Sequence, residues 1–106
     1  MATSRGTTPT YTLLLNSNEV DLNEADNVYV TFANKDYRKI LEKTGEELTI
    51  SEDGKSIDVY LSQSDTLKFP LEQIFVQVNW TDQGRRMASV IGIIPVNRNL
   101  KEEVIS

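Results

Sequence analysis

The sequence predicts an all-β protein built as an antiparallel sandwich of about seven strands. Three observations lead there. Apolar and polar residues alternate at a spacing of two, as in Val28-Tyr29-Val30-Thr31-Phe32, which is the period of a strand with one covered face. Turn-forming residues, above all Asp53-Gly54, interrupt these runs every ~8 to 12 residues, the spacing of a sandwich or small barrel. A chain of 106 residues suits one hydrophobic core and one domain.

The elements run in order along the chain. Residues 1–8 are small and polar and form a flexible arm, mobile or held by a partner; residues 9–106 form the domain. Tyr11, Leu13 and Leu15 alternate with Thr10, Thr12 and Leu14 as a first strand, closed by the turn cluster Asn16-Ser17-Asn18. Asp21 to Asp26 is an irregular connection pinned by Leu22 and Ala25. In Asn27 to Ala33, Val28, Val30 and Phe32 share the core face, and Tyr29 and Thr31 the other. Asn34-Lys35 reads as a two-residue hairpin loop, with Asp36 to Lys43 returning as a strand. A Glu-rich helix is the alternative over that stretch, cut short by Thr44-Gly45.

Leu48 to Ser51 and Ser56 to Leu61 form a second hairpin around Glu52-Asp53-Gly54-Lys55, where glycine tolerates positive φ. Ser62 to Leu67 is one helical turn with a Ser or Asp cap, ended by Phe69-Pro70. Glu72 to Thr81 places Ile74, Val76, Val78 and Trp80 on one face and Phe75, Gln77, Asn79 and Thr81 on the other. After a turn over Thr81 to Gly84, Arg85 to Val96 forms a final long strand. Leu100, Val104 and Ile105 are spaced as in a short C-terminal helix.

Composition narrows the function. The net charge of −5 repels phosphate backbones and anionic lipid, so neither nucleic acid nor membrane is an expected partner. There is no cysteine and no histidine, which removes disulfides, Cys/His zinc sites and triads of the usual kind. No serine stands in a nucleophile-elbow context. Met1 to Gly6 carry no apolar core of a secretory leader, and no run approaches the ~20 apolar residues of a membrane span.

The remaining candidates have ordinary readings. Glu19, Asp21, Glu46, Glu47, Glu52 and Asp53 fall in turns and at strand ends, where carboxylates are solvated and unshifted. Asn16, Asn18, Glu19 and Asp21 lack the spaced loop with a central glycine that calcium requires. Trp80, Tyr11, Tyr29, Tyr37 and Tyr60 could stack on sugar rings, but Trp80 is in phase with the core set of its strand. Tyr29 and Tyr60 belong on outer faces, a setting that favours interfaces. Arg85-Arg86 is a solvated hairpin arm. Asn79-Trp80-Thr81 matches a glycosylation acceptor that has no leader to serve it. No catalytic residue, metal or cofactor is expected.

The oddity is Arg85 to Val96. Val90, Ile91, Ile93 and Ile94 are apolar on both faces, as in a strand covered on both sides. The second cover is either the C-terminal helix or a neighbouring subunit. Pro95 cannot donate to a ladder and marks an edge or a bulge. The candidate interface is therefore Val90, Ile91, Ile93 and Ile94, with Arg5, Gly6, Thr7 and Thr8 of the arm adding to a neighbour's sheet edge.

Arg5-Gly6-Thr7-Thr8-Pro9-Thr10, leading into Tyr11-Thr12-Leu13, resembles the opening of a family of small proteins encoded by phages and prophages of Gram-positive bacteria. Asn27-Val28-Tyr29-Val30-Thr31-Phe32, Leu61-Ser62-Gln63, Val76-Gln77-Val78-Asn79-Trp80 and Asn97-Arg98-Asn99-Leu100 extend the similarity over nearly the whole chain. The layout is also similar, more loosely, to the immunoglobulin-like N-terminal domain of phage baseplate upper proteins. The resemblance implies an immunoglobulin-like sandwich with a role in the virion or its tail. It further implies other phage structural proteins or a second copy as partners, and residence in the particle or in the host cytoplasm during assembly. It brings no active-site residues. The alternative of a different class is a carbohydrate-binding module.

Overall fold

In a computed structural model that describes residues 2–15 and 20–105, the chain is a β-rich, sandwich-like fold. Nine strands form two sheets among the described residues. The strands are β1 (Thr3–Ser4), β2 (Thr10–Leu14), β3 (Asn27–Ala33), β4 (Lys39–Thr44), β5 (Leu48–Ile50), β6 (Ser56–Tyr60), β7 (Glu72–Asp82), β8 (Arg85–Ala88) and β9 (Gly92–Asn97). The larger sheet runs β1-β9-β7-β3-β4, with β8 also beside β7; the smaller runs β2-β6-β5. All pairings are antiparallel except β1 with β9.

Alternation decides which side chains meet between the sheets. Val28, Val30 and Phe32 of β3 lie opposite Trp80, Val78 and Val76 of β7, and all six are buried. From the smaller sheet come Tyr11, Leu48, Ile57 and Val59, and from the connections Leu22, Leu61 and Phe69. The Phe32 and Phe69 rings stand 5.8 Å apart. Trp80, expected in the core from its phase, is 8 % exposed.

The connections are held by local polar chemistry. Ser62 caps the single helical turn α1 (Gln63–Leu67): its hydroxyl accepts from the Asp65 N–H, and the Asp65 carboxylate accepts from the Ser62 N–H at 2.9 Å. Lys43 of β4 reaches the same carboxylate at 2.9 Å, tying the edge of the larger sheet to α1. Gly54, at φ 71° in the β5–β6 turn, has no room for a side chain, since a Cβ there would collide with the Asp21 carboxyl group. Its carbonyl accepts from the Leu22 N–H at 2.9 Å. The Asp21 to Asp26 connection is thereby pinned to this hairpin.

Several expectations change. The loop between β3 and β4 spans Asn34 to Arg38 rather than two residues. The Asn34 carboxamide oxygen accepts from the N–H groups of Asp36 and Arg38, and Tyr37 turns the chain at φ 64°. The return element is a strand, not a helix, but it begins at Lys39. The expected C-terminal helix is absent from the described residues: Leu100, Val104 and Ile105 are exposed, and the Asn99 side chain and Glu102 carboxylate close a local turn instead. So short a helix, uncovered by tertiary contact, is marginal in water.

The expected final strand is two strands. Asn79 pairs with Ala88, and Val76 with Gly92, so three steps along β7 match four along its neighbour. One extra residue sits in Ser89-Val90-Ile91, which is a β-bulge. It reverses the facing of the residues beyond it. Met87 packs inward opposite Trp80 before the bulge, and Ile94 and Val96 point inward after it. This accounts for Met87, Ile94 and Val96 all facing inward, and it leaves Val90, Ile91 and Ile93 exposed.

Candidate interaction surface

The bulge fixes where the predicted interface residues lie. Ile93 is opposite Phe75 on the outer face of the larger sheet and is 60 % exposed; Ile91 is also exposed. Beside them the Tyr37 and Phe75 rings are 5.4 Å apart, and Ala33 pairs with Phe75 from β3. Ala33, Tyr37, Phe75 and Ile91 line one shallow apolar depression. Val90, 90 % exposed, instead lines a groove with Leu13, Leu14 and Leu15. Ile94 does not belong to the surface: it is buried opposite Ile74, because the bulge turns it inward.

The arm is elsewhere and is occupied. Thr3 and Ser4 pair with Val96 and Asn97 of the same chain, not with a neighbour. The Arg5 guanidinium meets Glu102 at 2.6 Å and donates to the Leu67 carbonyl at 2.8 Å. The buried Thr66 hydroxyl accepts from the Gly6 N–H at 2.9 Å and donates to the Thr7 carbonyl at 2.8 Å. Thr7 and Thr8 are exposed. The arm joins β9 at its far end from the bulge, five residues or ~17 Å along the strand, so Arg5 to Thr8 and Val90 to Ile93 are not one site.

The other end of the larger sheet's outer face is polar. Tyr29, Thr31, Glu42, Asn79 and Arg86 share it, with Arg86 donating to the Asn79 carboxamide oxygen at 3.3 Å. The tyrosines do not converge on a sugar platform: Tyr11 is buried, Tyr29 half-buried here, Tyr37 exposed in its loop and Tyr60 exposed on the smaller sheet. Burial raises the Tyr11 phenol above its ordinary value, and its hydroxyl has no partner among the described residues.

The acidic turns serve their own backbones. Asp21 caps a 3-10 turn by accepting from the Asn23 N–H, and Glu47 accepts from the Thr44 N–H. Asp53 accepts from the Ser51 hydroxyl at 2.6 Å and the Lys55 N–H at 3.0 Å. Those bonds, the Ser51 one foremost, hold its carboxyl below the usual aspartate value. Asn16, Asn18 and Glu19 lie outside the described residues. Among the described residues no group of three or more acidic side chains is placed to hold a metal, and no helix is long and apolar enough to cross a membrane.

Two features escape the sequence. The Tyr37–Phe75 pair needs the positive-φ turn at Tyr37; its one signal is an aromatic residue on the polar face of β7. The other is the edge of β2 left free among the described residues, whose signal is the uncharged run Thr10 to Leu15. No protein-family model matches the chain, and no curated protein or solved structure matches it at a significant level.

Proposed function

We propose that the chain is an immunoglobulin-like sandwich acting by protein–protein contact as a structural or adaptor component of a bacteriophage tail or baseplate. The observation that carries the contact role is the cluster of Ile91, Ile93, Tyr37 and Phe75 on the outer face of the larger sheet. Large apolar side chains grouped on an exposed sheet face mark an interaction site more often than scattered ones do.

The strand order supports the immunoglobulin-like reading. Taking β2 to β7 as strands B, C, C′, D, E and F, and β8 with β9 as G, the smaller sheet is B-E-D and the larger is G-F-C-C′, the variable-type arrangement without C″. Resemblance to phage-encoded proteins, carried by Arg5 to Thr10 and the later landmarks, supports the setting. The partners on this reading are other phage structural proteins, and the place of action is the particle or the host cytoplasm during assembly.

Two measurements test it. Mass spectrometry of purified particles from a lysogen carrying the gene should recover the protein with the tail, and recovery only outside the particle counts against a virion role. Ile93→Asp should leave the fold intact, because Ile93 makes no core contact, while weakening binding to its tail neighbour at least ~tenfold. Unchanged binding moves the contact away from this face.

A further inference from the structure

The phase of the β2–β6 ladder leaves one side of β2 unpaired among the described residues. Leu61 N–H donates to the Pro9 carbonyl at 2.9 Å, and Leu15 N–H to the Lys55 carbonyl at 2.8 Å. Those bonds sit at odd positions of the segment, so Tyr11 and Leu13 also turn their backbone groups toward β6. The N–H and C=O groups of Thr10, Thr12 and Leu14 therefore point away from the sheet, and no backbone or side-chain hydrogen bond among the described residues reaches them.

The other sheet edges are guarded. β4 carries Lys39, Glu42 and Lys43. β5 has three residues and comes directly after Glu46-Glu47. The β8–β9 edge is interrupted by the bulge and covered at its end by β1. Charge, brevity, bulges and cover are the usual protections against strand pairing. Among the described residues β2 has none of them: Thr10-Tyr11-Thr12-Leu13-Leu14 carries no charge and no proline. Its flank is apolar, with Leu14 71 % and Val90 90 % exposed along one groove.

We infer that β2 pairs antiparallel with β2 of a second copy, joining two smaller sheets into one. This rests on the contact-protein reading and names one of its partners. A two-fold axis at Thr12 sets Thr10 against the second copy's Leu14 and Thr12 against the second copy's Thr12. Outward groups then meet outward groups, in about six hydrogen bonds. The same axis, normal to the sheet, brings the two Val90 side chains to one side. Although the chain carries −5 overall, this edge meets its copy without opposing like charges.

Area sets the strength. A five-residue strand is ~17 Å long; with a molecular thickness of 21 Å, the contact covers roughly 350 Å² per copy, against ~800 Å² for a stable dimer. The pairing is accordingly reversible, and it becomes persistent only where many copies are held together.

Sedimentation of the full chain from micromolar to millimolar concentration, with amide hydrogen exchange at both ends of that range, tests this. Mass should rise toward the dimer, and exchange at Thr10, Thr12 and Leu14 should slow at least ~tenfold at the high end, while Leu13 and Leu15 stay protected throughout. Leu14→Lys, a charge on an already exposed position, should keep the chain folded and monomeric; Thr12→Pro, which removes the central donor, should do the same. A chain that stays monomeric at millimolar concentration overturns the pairing, as does association that leaves those three amides exchanging freely. If that association is abolished by Ile93→Asp, the contact reading stands and only the β2 pairing falls.

Discussion

Asp65 is one carboxylate with two duties: it closes the cap of α1 by accepting from the Ser62 N–H, and it meets Lys43. Burial acts on it most strongly and raises its pKa. The Ser62 N–H and the Lys43 ammonium together outweigh burial and hold it below the ordinary value of 3.8. A depressed folded-state pKa contributes stability that is present above the unfolded value and lost as pH falls through the folded one. The wild-type urea midpoint should therefore drop as pH falls below about 4. Asp65→Asn keeps the shape but loses the charge, and should cost about 1–3 kcal/mol at neutral pH. Its acid-side slope should be shallower, though not zero, because Asp53 is shifted in the same direction. Equal slopes for the two proteins in urea titrations at several pH values would remove Asp65 from the acid response. The cap itself was legible as Ser62 ahead of a short polar run; the charge pair was not, because Lys43 lies far from Asp65 in sequence and on another element.

Among the elements, the hairpin between β7 and β8 carries a residue that its turn type does not favour. Asp82 pairs with Arg85, leaving Gln83 and Gly84 as a two-residue loop at φ 50° and 80°. Two positive φ values in succession define a type I′ turn, which favours Asn-Gly. Gln83 bears a steric cost that asparagine largely avoids. Gln83→Asn should raise stability by about 0.3–1 kcal/mol, read as a higher midpoint with an unchanged m-value; a lower midpoint would show that the Gln83 N–H contact with Asp26 depends on the native side chain. The left-handed Gly84 was readable from sequence, as were the phases of β2, β3, β6 and β7 and the Asp53-Gly54 turn, because each is written within a few residues. The bulge was not. Ser89-Val90-Ile91 contains no glycine or proline to announce it, and its one trace was an apolar doubling that fits a buried strand equally well. The pairing of β1 with β9 joins residues more than ninety positions apart, and a two-residue strand carries no period to detect.

At the scale of the whole molecule, the arm and the tail act as one clasp at the end of the sandwich away from the bulge. β1 extends the larger sheet beyond β9, Arg5 reaches Glu102 and α1, and Gln63 of α1 exchanges hydrogen bonds with the Ile105 backbone. Three segments without cores of their own are thus ordered by one another. An arm that serves a neighbour's sheet and an arm that closes its own predict opposite results on deletion. Removing residues 1–8 from a chain that uses them in cis takes away the β1–β9 bonds, the Arg5 contacts and the Thr66 clasp. The net loss is modest, because the chain entropy recovered on deletion offsets most of what the lost bonds contribute. A loss of about 1–3 kcal/mol results, which for a domain of this size lowers Tm by roughly 4 °C or more per kcal/mol. Arg5→Ala should reproduce part of it, since Glu102 then loses its cation. Both should show the same association behaviour as the intact chain, because the open edge of β2 and the Ile91–Ile93 face remain. Thermal melts and light scattering on one set of samples decide the matter. A truncated chain that melts like the intact one yet no longer associates would return the arm to the role of a bridge between molecules.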